Sequence, residues 1–231
     1  ALMQSEKLAS MGQLAAGIAH EVNNPLGVVL MYAHLLRDEH DDDPKLRDDL
    51  AMITEQADRC KKIVAGLLHF ARQNKVILET ADARQLVEAA RKAVSAPDNV
   101  EVIAEDALED PQAELDRDQM IQVLTNLMTN AIDAMGEGGV LTVRTEGDAE
   151  QVRFIVRDTG VGIPEDNLRK IFDPFFTTKQ MGKGTGLGLA VTYGVVKMHR
   201  GDIRVESNAD PEAGPTGTTF TVTVPRRGQQ E

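Results

Sequence analysis

Apolar positions in the first 75 residues recur at alternating steps of three and four. Leu8, Met11, Ala15, Ile18, Val22, Pro25, Val29, Tyr32 and Leu36 make one stripe, and Leu50, Ile53, Ala57, Cys60, Val64, Leu67 and Ala71 make a second. That spacing keeps one side of an α-helix apolar and matches the a/d seam of a helical bundle. Between the stripes, the run from Asp38 to Pro44 has no period and supplies a turn, with Pro44 suited to open the second helix. Leu14, Leu26, Leu30, Ile63 and Leu68 lie beside the seam. This is more apolar surface than one hairpin covers, so a second hairpin is expected to dock and complete a dimeric four-helix bundle.

From about residue 80 the period changes. Helices are predicted over 83–95, 117–135 and 187–199, and strands over 100–104, 139–146, 151–158, 202–207 and 217–224. The alternations Val152-Phe154-Val156 and Phe220-Val222-Val224 mark strands with one buried face. Antiparallel strands mixed with helices predict an α+β sandwich. The segment 173–186 follows neither period and holds Gly182, Gly184 and Gly186; a loop of that length inside a compact domain is usually functional. Two domains are expected, an all-α hairpin over 1–76 and the sandwich over 77–231.

The formal charge of −12 is unevenly spread. Residues 1–75 carry 11 acids and 9 bases, and residues 76–231 carry 26 acids and 16 bases. Such a surface excludes nucleic acid as a partner, because phosphate contacts need clustered Lys and Arg. An anionic ligand then requires a metal, a few cations and aimed backbone N–H groups. The single cysteine, Cys60, rules out a disulfide framework and, at a d position, is expected in the core. No stretch approaches about 18 consecutive apolar residues. No membrane contact is expected within the segment, and the expected location is cytoplasmic, with any anchor of a parent protein outside it.

Two groups of residues suggest chemistry. In the hairpin, His20-Glu21-Val22-Asn23-Asn24-Pro25 places His20 at an f position, facing away from the seam, with Asn24 one turn along on the same face. Glu21 can hold or deprotonate the imidazole and leave the other ring nitrogen free to attack phosphorus. Pro25 removes a helical N–H beside it. The alternative reading is a plain surface histidine. A zinc site of the H-E-x-x-H type fails, because position 24 is Asn.

The second group spans four segments. Gln119, Gln122, Asn126, Asn130 and Asp133 form a polar stripe on the helix opened by Asp116, suited to a partly enclosed polar ligand and to Mg²⁺ through asparagine oxygen, or else to a satisfied polar seam. Asp158-Thr159-Gly160-Val161-Gly162-Ile163 closes an apolar strand with an acceptor for an exocyclic amine and glycines that admit a flat ring. Three of the six phenylalanines follow, Phe172, Phe175 and Phe176, beside Lys179. Then Lys183, Gly184, Thr185, Gly186, Leu187 and Gly188 lead into a helix and can bare N–H groups to phosphate, although neither the Walker A nor the G-x-G-x-x-G spacing is present.

Taken together, H-E-x-x-N-P, Q-V-L-T-N-L-M-T-N-A, D-T-G-V-G-I-P, F-D-P-F-F-T-T-K and G-T-G-L-G-L resemble, in order and separation, the boxes of sensor histidine kinases, over nearly the whole chain. The resemblance implies a dimerisation and phosphotransfer hairpin followed by a Bergerat-type ATP-binding domain, with ATP and Mg²⁺ as cofactors and a response regulator receiver domain as partner. By position, His20 resembles the phosphoacceptor and Glu21 its acidic partner. Asn130 resembles the Mg²⁺ ligand, with Asn126 beside the phosphates. Asp158 resembles the adenine-binding aspartate, with Gly160 and Gly162 its companions, and Gly184, Gly186 and Gly188 resemble lid glycines. Asn24 looks like the nitrogen-regulator subgroup, in which this polar residue helps dephosphorylate the regulator. Many members carry a base after the second asparagine; here Asp133 stands nearby, which shifts the phosphates toward Lys179 and Lys183. Two other readings use the same pocket, a chaperone- or gyrase-like ATPase and a nucleotide-sensing module. The former places Glu where this chain has Asn126.

Overall fold

The computed structural model describes residues 22, 24–39, 43–72, 76–179 and 184–227, with side chains of α2 (Pro44–Arg72) described through Lys61 apart from Arg59. The chain divides into two compact units, 1–75 together with 177–187, and 76–176 together with 188–231.

In the helical unit, α1 (24–39) and α2 form the hairpin. Asp43 caps α2, its Oδ1 accepting from the N–H groups of Lys45 at 3.0 Å and Leu46 at 3.1 Å, while Pro44 takes the first helical position, where no N–H is needed. Ala33, Leu50 and Ala57 are buried. Val29, Tyr32, Leu36 and Ile53 belong to the predicted seam yet remain 41–57% exposed. Cys60 is also exposed, which corrects the expectation of a core cysteine. The physical reason is that two helices cover each other only along a narrow line, and the rest of the stripe looks outward.

The second unit is a layered α/β structure. Its main sheet has the order β2-β4-β5-β7-β6, with β2 (Val100–Asp106), β4 (Gly139–Gly147), β5 (Gln151–Asp158), β6 (Asp202–Asn208) and β7 (Gly217–Pro225). The predicted strands are all present, but β2 runs parallel to β4, so the sheet is mixed rather than antiparallel throughout. A second sheet pairs β1 (Glu79–Asp82) with β3 (Gln112–Leu115). Alternation sets the core: Leu141, Val143, Val152, Phe154, Val156, Phe220, Val222 and Val224 are all buried.

Helices α3 (Ala83–Ala93), α4 (Arg117–Ala134) and α6 (Gly188–Met198) complete the layer, with the short α5 (Glu165–Leu168) after β5. α4 is the central one, packed on α3, α6 and β5, and it buries Met120, Val123, Leu124, Leu127, Met128 and Ala131. Asp116 caps it as expected, Oδ1 accepting from the Gln119 N–H at 3.1 Å. Asn126 meets the start of α6 and His199 the start of α4, so the two helices run antiparallel.

Candidate nucleotide site on the central helix

The inward parity of β5 that buries Val152, Phe154 and Val156 also turns Asp158 inward, where it is 5% exposed. Its neighbour in register on β7 is Thr218, at the inward end of Phe220-Val222-Val224. Asp158 Oδ1 accepts from the Gly160 N–H at 2.8 Å and from the Thr218 N–H at 3.2 Å. Both bonds go to one oxygen, and among the described residues Oδ2 makes no protein hydrogen bond. Burial pushes the carboxyl above its ordinary range, while the two N–H groups pull it back.

The loop after Asp158 leans on the end of α4. The Val161 N–H donates to the Ala134 carbonyl at 3.1 Å, and a Cβ at Gly160 would lie 2.6 Å from that oxygen. Gly162 has φ +72°, and a Cβ there would run into the Asn208 carbonyl. Only glycine meets both demands without moving backbone. Ile163 is half-buried and donates its N–H to Ser207 Oγ at 2.8 Å.

Along α4 the polar stripe is graded. Gln119 is buried, Gln122, Asn126 and Asn130 are half-buried, and Asp133 is exposed. The row therefore runs from the buried Gln119 to the exposed Asp133. Asn126 Nδ2 donates to the Gly188 carbonyl at 3.3 Å, so this residue also serves the helix–helix seam. Asn126, Asn130 and Ala134 stand on successive turns. Eight residues of helix, about 12 Å, separate the Gly188 contact from the Gly160 loop.

Among the other sequence candidates, Phe172 is half-buried and packs on Tyr193 of α6, with ring centroids 5.4 Å apart. Phe175 is exposed at φ +67°. Lys179, Gly184, Thr185, Gly186 and Leu187 belong to the helical unit by contact grouping. There Thr185 Oγ1 accepts from the Leu187 N–H at 3.4 Å, and Gly186 takes φ +68°. Gly188 opens α6. Asn24 is exposed on α1. His20, Glu21 and Lys183 lie outside the described residues. Sequence reasoning missed Thr218 and Ala134, whose roles come from backbone groups, and Ser207, which acts through its hydroxyl; the parity of β7 was the one available signal, and only for Thr218.

No cluster of three or more His, Cys, Asp or Glu able to hold a metal occurs among the described residues. Mg²⁺ delivered with a triphosphate keeps several waters and takes few protein ligands, often a single amide or carboxylate oxygen. A half-buried Asn130 oxygen fits that role. No helix of the described residues is long and apolar enough to cross a membrane.

Comparison with known proteins places this geometry. Residues 10–75 match the His Kinase A (phospho-acceptor) domain, and residues 115–228 match the histidine kinase-, DNA gyrase B- and HSP90-like ATPase domain. The chain is 38% identical over 242 residues to the sensor kinase CckA of Brucella abortus, covering 97% of this chain and 25% of that protein. It is 35% identical over 229 residues to the sensor histidine kinase ZraS of Escherichia coli K12, covering 97% and 47%. Among solved structures, full-length ShkA in complex with AMPPNP aligns with TM-score 0.72 at 26% identity, over 94% of this chain and 46% of that one. Histidine kinase ThkA in complex with the response regulator TrrA aligns with TM-score 0.66 at 28% identity, over 99% and 65%. The chain belongs to the sensor histidine kinases and carries their phospho-acceptor and ATPase domains. It spans about a quarter to a half of the curated relatives named here.

Proposed function

We propose that the chain binds ATP on α4, phosphorylates its own His20 and passes the phosphoryl group to an aspartate of a response regulator receiver domain. The observation that carries the reading is the Asp158 carboxylate, fixed through one oxygen by two backbone N–H groups and open at the other. That oxygen accepts from the adenine amine, and the glycine loop admits the ring edge-on beside it. Asn126 lies beside the phosphates, and Asn130 would hold Mg²⁺, which supplies charge neutralisation on the triphosphate when bound. Lys179 and Lys183 supply cations, and the glycines from Gly184 to Gly188 supply N–H groups at the start of α6. Asp133 is exposed and acidic, so the phosphates depend more on those lysines.

In the reaction, an imidazole nitrogen of His20 forms a bond to the γ-phosphorus as the bond to the bridging oxygen breaks, and ADP leaves. Glu21 holds or takes the proton of the other ring nitrogen. Asn24, exposed one turn along, orients water for the reverse task of clearing phosphate from the regulator. Support for the partner comes from ThkA, whose structure contains a response regulator. The exposed apolar face of the hairpin supports assembly as a homodimer, and the use of ATP fits a cytoplasmic setting. With Asn126 in place of a water-activating Glu, a simple ATPase is the weaker reading.

The test is incubation with labelled ATP. The wild-type chain should acquire an acid-labile label that His20→Gln lacks, and the label should move to a receiver domain. A His20→Gln chain that still becomes labelled, or steady hydrolysis without any labelled protein, removes the assignment.

A further inference from the structure

Two buried groups of the second unit take no part in the reaction as derived, and they meet each other. Asp116 stands just before α4 and is 9% exposed; His199 follows the last residue of α6 and is 5% exposed. The Asp116 N–H donates to His199 Nε2 at 3.1 Å, and His199 Nδ1 lies 2.9 Å from the Val195 carbonyl. With Nε2 accepting, Nδ1 must carry the hydrogen and donate it, so the ring is neutral and its tautomer is set by its partners. The Asp116 carboxylate is divided. Oδ1 caps α4 at Gln119, and Oδ2 accepts from the Ile77 N–H at 3.0 Å. Ile77 is the second residue of this unit, at the point where the chain arrives from the hairpin. Its own side chain is 73% exposed, so the Asp116 carboxylate and not apolar packing holds this point.

We propose that Asp116 and His199 are positioning residues for phosphotransfer, a proton-sensitive latch that ties the entry of the chain at Ile77 to both helices bearing nucleotide groups. The inference rests on the function proposed above. α4 carries Asn126 and Asn130, α6 begins at Gly188, and the latch joins the opposite ends of the same two helices. A shift of α6 against α4 when nucleotide loads therefore reaches Ile77 through two short bonds. Protonation of Nε2 would set a ring N–H against the Asp116 N–H. Two donors cannot share that contact, so the Asp116 backbone moves away, and its carboxylate turns to the imidazolium and releases Ile77.

The charged groups around the latch are few. Asp116 favours the charged ring; Arg117 and Asp118 in the first turn of α4 are exposed; Lys197 is paired with Asp202 at 2.7 Å; and Arg200 is exposed. Burial outweighs both the Val195 carbonyl and Asp116, which favour the charged ring, and holds the ring below its ordinary value. With the folded value depressed, the latch is intact above about pH 6.5, the ordinary histidine value, and is lost as pH falls through the folded one.

The test uses the full chain with isoleucine ¹⁵N-labelled, as wild type, His199→Gln and His199→Asn. Gln keeps an acceptor near the Nε2 position and cannot titrate; Asn keeps only the donor toward Val195. The Ile77 amide signal should titrate below about pH 6.5 in wild type, stay fixed in His199→Gln, and sit at its displaced position at pH 7.5 in His199→Asn. His20 must also be neutral to react, so the acid limb of His20 labelling should be one proton steeper in wild type than in His199→Gln. His199→Asn should lower kcat for labelling roughly tenfold while KM for ATP stays within about twofold, the split expected when ground-state nucleotide binding is kept and only the approach to the transition state is impaired. An Ile77 signal indifferent to pH, the same titration in His199→Gln, or a rise in KM with kcat unchanged would each overturn the latch. Absence of His20 labelling in wild type at every pH defeats the proposed function instead, and the Ile77 titration still decides whether the latch exists.

Discussion

At Asp158 burial favours the neutral acid, while the N–H groups of Gly160 and Thr218 favour the carboxylate, and burial is the larger effect. The folded pKa therefore lies above the unfolded one. The stabilising contribution of Asp158 is fully present below the unfolded value, and it is lost as pH rises through the folded value. At neutral pH the ionised side chain costs stability. Asp158→Asn keeps an oxygen for both N–H groups and sheds the charge, so thermal melting of the free protein should hold steady or rise. The same variant presents either an amide hydrogen or a weaker acceptor to the adenine amine. Affinity for a non-hydrolysable ATP analogue should fall by roughly 10- to 100-fold, the scale of one hydrogen bond to a charged group. In wild type, affinity should decline as pH falls through the raised pKa of Asp158, with a midpoint above the ordinary carboxylate value. Calorimetric titration across pH checks both. The sequence exposed Asp158 and its glycines because a polar residue ending an inward-facing row stands out. It hid Thr218 because the contact spans 60 residues and uses a backbone N–H that any residue possesses.

Among the elements, strong periodicity made β5 and α4 legible nearly to the residue, whereas β1 and β3, of four residues each, carry no pattern long enough to detect. The parallel entry of β2 was equally hidden, since periodicity records which face is buried and not which way a strand runs. Arg226 ties the two sheets through both its side chain and its backbone. Arg226, 8% exposed at the end of β7, donates from Nε to the Asp148 carbonyl and from an Nη to the Gln112 carbonyl at 2.7 Å. The Glu114 N–H donates to the carbonyl of the same residue at 2.8 Å. Removing the guanidinium leaves two carbonyls without their charged donor in a part-buried setting. Arg226→Ala should destabilise the fold by about 2–4 kcal/mol, since hydrogen bonds to charged groups contribute about 1.5–3 kcal/mol each and do not add fully. Urea unfolding followed by circular dichroism reads the change. A midpoint within error of wild type would show that the two-stranded sheet is held by apolar packing instead.

For the whole molecule, the hairpin raises a question of surface. Val28, Met31, Tyr32, Leu35, Met52 and Ile53 all stand 45% exposed or more on two helices whose own seam buries Ala33, Leu50 and Ala57. A run of exposed apolar side chains along one helical pair marks an interaction site, and a second copy of the same hairpin offers the matching stripe. The sequence pointed to a surplus through Leu26 and Leu30, which are half-buried. The residues that stand exposed were either missed or, like Tyr32 and Ile53, given to the seam, because one period serves both the seam within a hairpin and the one between hairpins. The chain of 25.2 kDa should therefore sediment as a dimer of about 50 kDa, twice that mass. Met52→Asp places a charge at a 63% exposed position of the outward stripe, off the helix face that carries Leu50 and Ala57. It should yield monomer with helix content retained, and nucleotide affinity should match wild type, since none of the residues proposed to meet nucleotide lies on α1 or α2. Labelling of His20 in that monomer then separates two routes. A rate independent of assembly means that each chain serves its own histidine, and a rate that rises with protein concentration means that the ATP-bearing unit of one chain serves its partner.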